Sequence, residues 1–458
     1  MPDSARGQFY LTAEEIEAWP AATAPGADHK APLRRALMRN GVFDRRQTGG
    51  RNWAIGCVAL EITQRCNLDC TLCYLSYHAE AVHDLPLKEV FRRIDVIHDH
   101  YGPGTNVQVT GGDPTLRRRE ELVAIVRRIG EKRMRPALFT NGIKATRDLL
   151  AELAQAGLKD VAFHVDMTQA RKGYASEADL NAVRLDYIRR AKGLGLDIIF
   201  NTTIFDGNSH EVSGLVRFFI AHASDIHLAS FQLQAETGRG VLGGRSAGLS
   251  QASVIDAVNR GAGVPLSFDM PWTGHPDCNR YTGVLTAGGV VTPLFDDETL
   301  FAELFRRTAR FRFDRVSWPH RLARLIAIIA LNPGIWPRVL GYGLKKAWQL
   351  RRGLIRSGGR LNKLTLFIHN FMDAQKLERA RCESCVFMTA SAAGPISMCV
   401  YNARRDTEIL KPIVDGNSGN WHPLSGETAP NTGSEMPPLA RKHLKGRLKA
   451  ADRAKRPA

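Results

Sequence analysis

The sequence predicts an α/β protein in which parallel strands alternate with helical crossovers, and three observations support this. Six short β-branched or aromatic runs recur between positions 58 and 234. Segments with apolar residues at helical spacing separate them, and polar and glycine residues gather where the runs end. Alternation of this kind covers a parallel sheet with helices, and α/β sheets and barrels bind ligands beyond the C-terminal ends of their strands.

The strands in order are VALEIT (58–63), VQVTGG (107–112), PALFTNG (136–142), DVAFHVD (160–166), DIIFNTTIF (197–205) and HLASFQLQ (227–234). Helical periodicity fills 86–101, 117–132, 146–157, 177–195 and 210–222, giving six β/α units. Residues 1–54 form a lead-in with a short helix around 13–18 and Pro-, Gly- and Arg-rich connectors, ahead of a core unit over 55–235. After Gln234 the rhythm stops. A Gly-rich loop, a strand over 266–270 and a hairpin turning at Gly288-Gly289 occupy 236–300. Basic helices broken at Pro319, Pro333, Pro337 and Gly358-Gly359 span 301–363, and a cysteine-bearing segment spans 364–405. Pro, Gly, Ser and Asn dominate 406–440, so 406–458 is expected to be a disordered basic tail.

Composition narrows the class. The chain has 458 residues, 44% hydrophobic and 24% charged, which disfavours collagen-like, wholly disordered and integral-membrane readings. No basic, apolar and small-residue series opens the chain, so a cytosolic location is expected, and there the eight cysteines serve as metal ligands or core residues rather than disulfides. The net charge of +17 is concentrated: 301–363 carries +13 and 441–458 carries +7, leaving the remainder at −3.

The most informative stretch is LEITQRCNLDCTLCYL, with Cys66, Cys70 and Cys73 spaced C-x3-C-x2-C directly after the first strand. Three thiolates on one tight loop can hold three irons of a 4Fe-4S cubane and leave the fourth open. A zinc knuckle would need further ligands, because three cysteines do not close a tetrahedral site. Cys57 falls outside this spacing and reads as a buried thiol. At other strand ends, Asn141, Asp166, Asn201 and Gln234 are candidates to bind ligand or to cap helices, and His164 reads as a packed histidine. Four cysteines remain: Cys278, the C-x2-C pair Cys382 and Cys385, and Cys399. Together they complete either an auxiliary 4Fe-4S cluster, the favoured reading, or a structural zinc site.

Residues 55–235 resemble the radical S-adenosylmethionine enzymes. The resemblance implies a partial (β/α)6 barrel of the TIM type, with Cys66, Cys70 and Cys73 holding the cluster whose open iron chelates S-adenosylmethionine. Leu72 matches the apolar residue whose neighbourhood packs on the adenine. Gly111, Gly112, Asp113 and Pro114 match the family's GGEP stretch, with Asp for Glu, where main-chain groups receive the methionine ammonium. The run FIHNFMDAQKLERARCESCVFMTASAAGPISMCVYN, with GHPDC upstream, is similar to the C-terminal region of tetraether lipid synthases and their pterin methyltransferase relatives. The matching residues are His275, Cys278, Phe371, Met372, Asp373, Glu378, Arg379, Cys382, Cys399, Tyr401 and Asn402. No cysteine-rich module precedes the barrel, a departure from that group.

The resemblance implies reductive cleavage of S-adenosylmethionine to a 5′-deoxyadenosyl radical, with an external one-electron reductant such as flavodoxin or ferredoxin. Hydrogen abstraction from an unactivated carbon of a lipid-like substrate follows from it. Radical methylation and peptide modification are the alternatives within the class. Outside it stands a non-catalytic iron-sulfur or zinc protein binding nucleic acid through its basic segments, where Trp318, Trp336, Tyr342 and Trp348 interleave with cations. The enzyme reading is preferred, and nucleic acid is not expected as a partner. In 322–348, Leu322, Leu325, Ile326, Ile329, Trp336, Leu340, Leu344 and Trp348 form apolar faces. Arg321, Arg324, Arg338, Lys345, Lys346, Arg351 and Arg352 are the cations, so peripheral binding to the inner face of an anionic membrane is expected.

Overall fold

The computed structural model describes residues 9–309, 323, 326–328, 330–414 and 419–429. The six expected strands are present: β1 (Cys57–Thr63), β2 (Asn106–Gly111), β3 (Arg135–Thr140), β4 (Asp160–His164), β5 (Asp197–Ile204) and β6 (Ile226–Leu233). Each pairs in parallel with the next. Helices Leu87–Tyr101, Arg119–Glu131, Arg147–Gln155, Asn181–Ala191 and Val212–Ala221 make the crossovers. β1 shows why the run around it is almost continuously apolar. All seven of its residues are buried, one face against Val90, Ile94 and Ile97 of the first crossover helix and the other toward the barrel interior.

The sheet continues beyond β6. After the hairpin β7 (Asn279–Ala287) and β8 (Val290–Pro293) come β9 (Asn362–Asn370), β10 (Phe387–Ser391) and β11 (Gly394–Ser397). β9 pairs in parallel with β6, and β10 pairs in parallel with β1. Eight parallel strands therefore run in the order β10-β1-β2-β3-β4-β5-β6-β9, with antiparallel β11 at one edge and the β7-β8 hairpin at the other. No ladder joins β9 to β10 among the described residues, but their side chains meet. The Phe387 ring centroid lies 4.3 Å from that of His369 and 6.0 Å from that of Phe367, and Tyr281 of β7 stacks on Phe367 at 5.8 Å. Aromatic contacts close the barrel where hydrogen bonds do not.

Several expectations need correction. The boundary drawn at 235 is crossed by the sheet itself, since β9 and β10 lie beyond it. Residues 266–270 form no strand, because local side chains satisfy the backbone: Asn259 Oδ1 accepts from Leu266 N and Ser267 Oγ from Asp269 N. Within the lead-in, helix Ala31–Arg39 inserts Leu33 and Leu37 into the main core. The segment expected to be disordered from 406 instead continues helix Arg405–Leu410 and forms a small sheet of Ile413–Val414, Asn420–Trp421 and Thr428–Ala429. It is anchored by His83 N donating to the Pro423 carbonyl. Residues 430–458 lie outside the described residues.

Helix Trp336–Arg356 packs on the hairpin through Lys346, Leu350 and Gly353. A Cβ at Gly353 would sit 2.0 Å from the Ala287 carbonyl oxygen, so only glycine allows this approach. The opposite face exposes Leu340, Leu344 and Trp348, at 62%, 71% and 68%. Lys346 is not one of the solvent-facing cations. Its ammonium is buried and donates to Asp296 Oδ2 at 2.8 Å and Thr292 Oγ1 at 3.1 Å. Trp318, Arg321, Leu322, Arg324, Leu325 and Ile329 lie outside the described residues.

Candidate active site

A cavity of about 680 Å³ occupies the barrel axis. Strand register explains why the barrel is hollow. Ala59, Gln108 and Ala137 are side by side on β1, β2 and β3; β4 sets Asp160 opposite Ala137 and Ala162 opposite Phe139, and from Ala162 a second run, two positions further on, continues through Ile199, Leu228 and Thr365 on β5, β6 and β9. All seven line the cavity. Barrels of this type normally fill these layers with bulky branched side chains, whereas here three of the seven are alanine.

The loop after β1 brings Cys66, Cys70 and Cys73 to the C-terminal mouth, together with Leu68 and Leu72. All three thiols are free and partly exposed. The loop is tied at two places: Thr71 N donates to the Thr168 carbonyl at 2.8 Å, and the Thr71 carbonyl accepts from Val241 N at 2.8 Å. Val241 belongs to the Gly-rich segment after β6, which lies directly on the cysteine loop. A Cβ on Gly238 would come 2.3 Å from the Tyr74 carbonyl, and its φ of +58° also suits glycine. Between these contacts Arg239 is buried, with Nε 3.4 Å from Cys73 Sγ and Nη1 3.1 Å from Glu80 Oε1.

Burial raises the Cys70 thiol well above its usual range and Cys66 to about 11. Holding them as thiolates therefore requires positive charge, which a ligated metal cluster supplies. Three free thiols on one loop at the mouth of a hollow barrel, beside a buried guanidinium, suit a 4Fe-4S cluster with one open iron.

The GGDP turn adjoins this loop. Gly112 N donates to the Thr63 carbonyl and Asp113 N to the Arg65 carbonyl, at 2.9 and 2.7 Å. A Cβ at Gly111 or Gly112 would lie 1.9 or 2.1 Å from those same oxygens, so both glycines are required sterically. Asp113 is fully buried, and Oδ2 accepts from Thr140 Oγ1 and Asn141 N, each at 2.8 Å. Its carboxylate thus splices the ends of β2 and β3. Pro114 starts the short turn that follows and does not reach the cavity. The Gly111 carbonyl, considered as an acceptor for ligand, accepts from Tyr74 OH at 2.7 Å. Asn141 Nδ2 donates to Asn67 Oδ1 at 2.7 Å and lies 3.9 Å from Cys66 Sγ. Asn201 and Gln234 line the cavity.

His164 also faces the cavity, and its Nε2 is 2.6 Å from Asp166 Oδ2. Asp166 further accepts from Thr168 N and Thr203 N, so it is a structural anchor for β4 and β5. On the opposite wall Arg405 Nη1 donates to Glu61 Oε1 at 2.5 Å, and its guanidinium lies 4.7 Å from the Tyr74 ring centroid and 4.9 Å from that of Tyr401. This buried pair joins the C-terminal segment to the strand that carries the cysteine loop.

The other four cysteines come from separate segments. Cys278 precedes β7, Cys382 lies in helix Arg379–Glu383, Cys385 precedes β10, and Cys399 lies in helix Met398–Ala403. Burial is the largest influence on each thiol, pushing Cys278 to about 11 and Cys399 to about 12, and neighbouring cysteines of the set add to the effect at Cys278, Cys382 and Cys399. Among the described residues, no three or more His, Cys, Asp or Glu converge closely enough to grip one metal ion. Met372 and Asp373 serve the surrounding chain: Met372 Sδ accepts from Glu378 N, and Asp373 Oδ1 accepts from Glu236 N. Arg379 pairs with Glu15, and His275 Nδ1 accepts from Asp277 N. The sequence reading passed over Arg239, Arg381 and Arg405. For Arg239 the signal was present, a lone cation in the run ETGRGVLGG.

Comparison with known proteins adds to this geometry. The chain is 27% identical over 187 residues to 7,8-dihydro-6-hydroxymethylpterin dimethyltransferase of Methanocaldococcus jannaschii, covering 39% of this chain and 36% of that protein. It is 31% identical over 183 residues to GTP 3′,8-cyclase of Erythrobacter litoralis, covering 38% and 53%. The chain thus spans about a third to a half of the length of these curated relatives. The crystal structure of methylornithine synthase aligns over 69% of this chain and 87% of that one, with 14% identity and a TM-score of 0.35. The model of the Radical SAM superfamily matches residues 60–219, which run from within β1 into the helix before β6 and include all three loop cysteines, so it is this segment of the chain that is assigned to that superfamily.

Proposed function

We propose that the protein is a radical S-adenosylmethionine enzyme acting on an unactivated carbon of a lipid-like chain at a membrane surface. The observation that carries this reading is the placement of three free cysteines at one mouth of a hollow barrel. When bound there, the cluster and S-adenosylmethionine supply a 5′-deoxyadenosyl radical that takes a hydrogen atom from substrate. Cys66, Cys70 and Cys73 would hold the cluster, with the Arg239 guanidinium placed beside Cys73. Gly111 and Gly112 let backbone approach backbone at the cofactor's side, and Leu72, Asn141 and Asn201 complete the cofactor wall. The barrel excludes water and orients the reacting C–H bond. Cys278, Cys382, Cys385 and Cys399, which lie near enough to influence one another's thiols though too far apart to grip a single ion, would hold a second 4Fe-4S cluster, a larger group.

Two features favour a chain-like substrate. Ala59, Ala137 and Ala162 leave the barrel interior hollow from one end of β3 to the other, and helix Trp336–Arg356 turns Leu340, Leu344 and Trp348 to solvent beside Arg338, Lys345, Arg351 and Arg352. No described helix is long and apolar enough to cross a membrane, so this face suits an interfacial position. The test is anaerobic incubation of reconstituted protein with dithionite, S-adenosylmethionine and perdeuterated lipid extract. Deuterium in the released 5′-deoxyadenosine is the expected result; 5′-deoxyadenosine without deuterium would contradict the lipid substrate, and none at all would contradict the activity.

A further inference from the structure

The barrel cavity has a second mouth. Besides the cysteine loop, the same cavity is lined by Arg133, Arg135, Lys159, Asp160, His227 and Lys363, which lie at the N-terminal ends of the strands. Arg133, Lys159, His227 and Lys363 are exposed, so the cavity reaches solvent there as well as at the cysteine end. Along β3 and the residue after it, Arg135, Ala137, Phe139 and Asn141 all line it. Six residues of strand rise, at the usual barrel tilt, make the bore about 16 Å long.

The charge at this far mouth is predominantly positive. Arg135 is neutralised by Asp160 and Asp197, with Nε 2.6 Å from Asp160 Oδ2 and Nη2 2.7 Å from Asp197 Oδ2. Arg133, Lys159 and Lys363 bring the rim to four cations, counting Arg135, against the two carboxylates of Asp160 and Asp197. Arg133 is presented from a backbone at φ +55°, a left-handed conformation that is uncommon outside glycine, and its carbonyl accepts from Gly104 N at 2.9 Å. Between the mouths Ala59, Ala137, Phe139, Ala162, Ile199 and Leu228 supply apolar wall, interrupted by Gln108, Ser230 and Thr365. A cationic rim, a bore with more apolar than polar wall and a cysteine mouth in series are complementary to a single-chain anionic amphiphile.

We propose that the N-terminal mouth binds the anionic end group of the substrate, a carboxylate or phosphate. Its chain runs through the bore to place a carbon roughly a dozen bonds away at the cysteine mouth. The inference rests on the lipid-like reading and specifies polarity and length. It also gives the enzyme a ruler, because the distance from end group to cysteine loop selects the carbon that reacts.

The experiment is binding to the anaerobically reconstituted full chain, measured by calorimetry below the micellar concentration of each probe. Dodecanoate and dodecyl phosphate are expected to bind at least tenfold more tightly than dodecyltrimethylammonium, and the stronger of the two anions identifies the end group. The double substitution Arg133→Glu, Lys159→Glu should weaken both anions at least tenfold. Ala162→Phe should block all three probes, and Ala162→Leu gives a smaller obstruction with the same expected direction if the first variant does not fold. Equal binding of anion and cation, or unchanged affinity in the rim double variant, would overturn the proposal. Cleavage of S-adenosylmethionine, measured on the same preparation, separates the two readings: cleavage without anion preference removes the far mouth alone, and anion preference without cleavage removes the proposed activity alone.

Discussion

Arg381 Nε donates to Cys278 Sγ at 3.2 Å from a guanidinium that is itself buried. Its other nitrogens donate to Glu378 Oε1 at 2.9 Å and to the Asn370 carbonyl at 2.6 Å. Burial disfavours the cation, but Cys278 and Glu378 outweigh that cost and hold Arg381 firmly charged. One side chain therefore ties β9, the segment before β7 and the helix bearing Cys382 to a single cysteine neighbourhood. Replacing it with Met would take this donor from the part-buried Glu378 carboxylate and Asn370 carbonyl, at a cost of about 1–3 kcal/mol. Arg381→Met is expected to lower the melting temperature and to reduce reconstituted iron from about eight toward four per chain. Iron and sulfide assays with a thermal melt check this.

Gly112 should tolerate no side chain. Its Cβ would meet the Arg65 carbonyl at 2.1 Å, and the main chain on both sides is fixed by hydrogen bonds. Gly112→Ala is expected to cost upward of about 2 kcal/mol in urea unfolding. Gly243→Ala, where the added methyl meets nothing within 4 Å, is the control and should be near neutral.

The pair of His164 and Asp166 predicts a pH signature. Burial opposes the charged imidazole, but Asp166 overcomes it and raises the His164 pKa; in return Asp166 is held at about 2 against its own burial. A raised histidine contributes stability that is complete below about pH 6.5 and is lost as pH rises through the folded value. A lowered aspartate contributes stability that is present above about pH 3.9 and is lost toward pH 2. Imidazole NMR titration should place His164 above 6.5 in the native protein and below it in Asp166→Asn.

Membrane association should depend on exposed groups only. Arg351→Glu with Arg352→Glu is expected to weaken flotation with anionic vesicles at least tenfold, since each cation contributes about 1 kcal/mol at such a surface. Neutral vesicles should bind weakly throughout. Lys346 is excluded from this set, because its buried bond to Asp296 makes Lys346→Glu a folding defect rather than a binding one.

Much of this architecture was legible because local pattern and tertiary role coincide. The run VALEIT reads as a buried strand since both faces of β1 are covered, and Gly288-Gly289 reads as a hairpin turn since both residues take positive φ. The triplet of Cys66, Cys70 and Cys73 is local in sequence and therefore visible. Contacts made across the sheet were not. That β9 and β10 flank β6 and β1 follows from pairing over more than a hundred residues, and no local period encodes it. Arg239, Arg381 and Arg405 carry no local signal of the partners that the fold gives them, Cys73, Cys278 and Glu61. The exposed stripe of Leu340, Leu344 and Trp348 was visible as a period, but which face it turned to solvent was decided by Gly353 and Lys346 docking on the hairpin.

The most direct test is dithionite-dependent release of 5′-deoxyadenosine by anaerobically reconstituted protein carrying single substitutions in the cysteine loop. Cys66→Ala, Cys70→Ala and Cys73→Ala are each expected to abolish release, while Cys57→Ala, which alters a buried thiol outside the loop, retains it. The triple variant should keep about four iron on the second cysteine set. Undiminished release from any of the three single variants would contradict the assignment of that loop as the seat of the catalytic cluster.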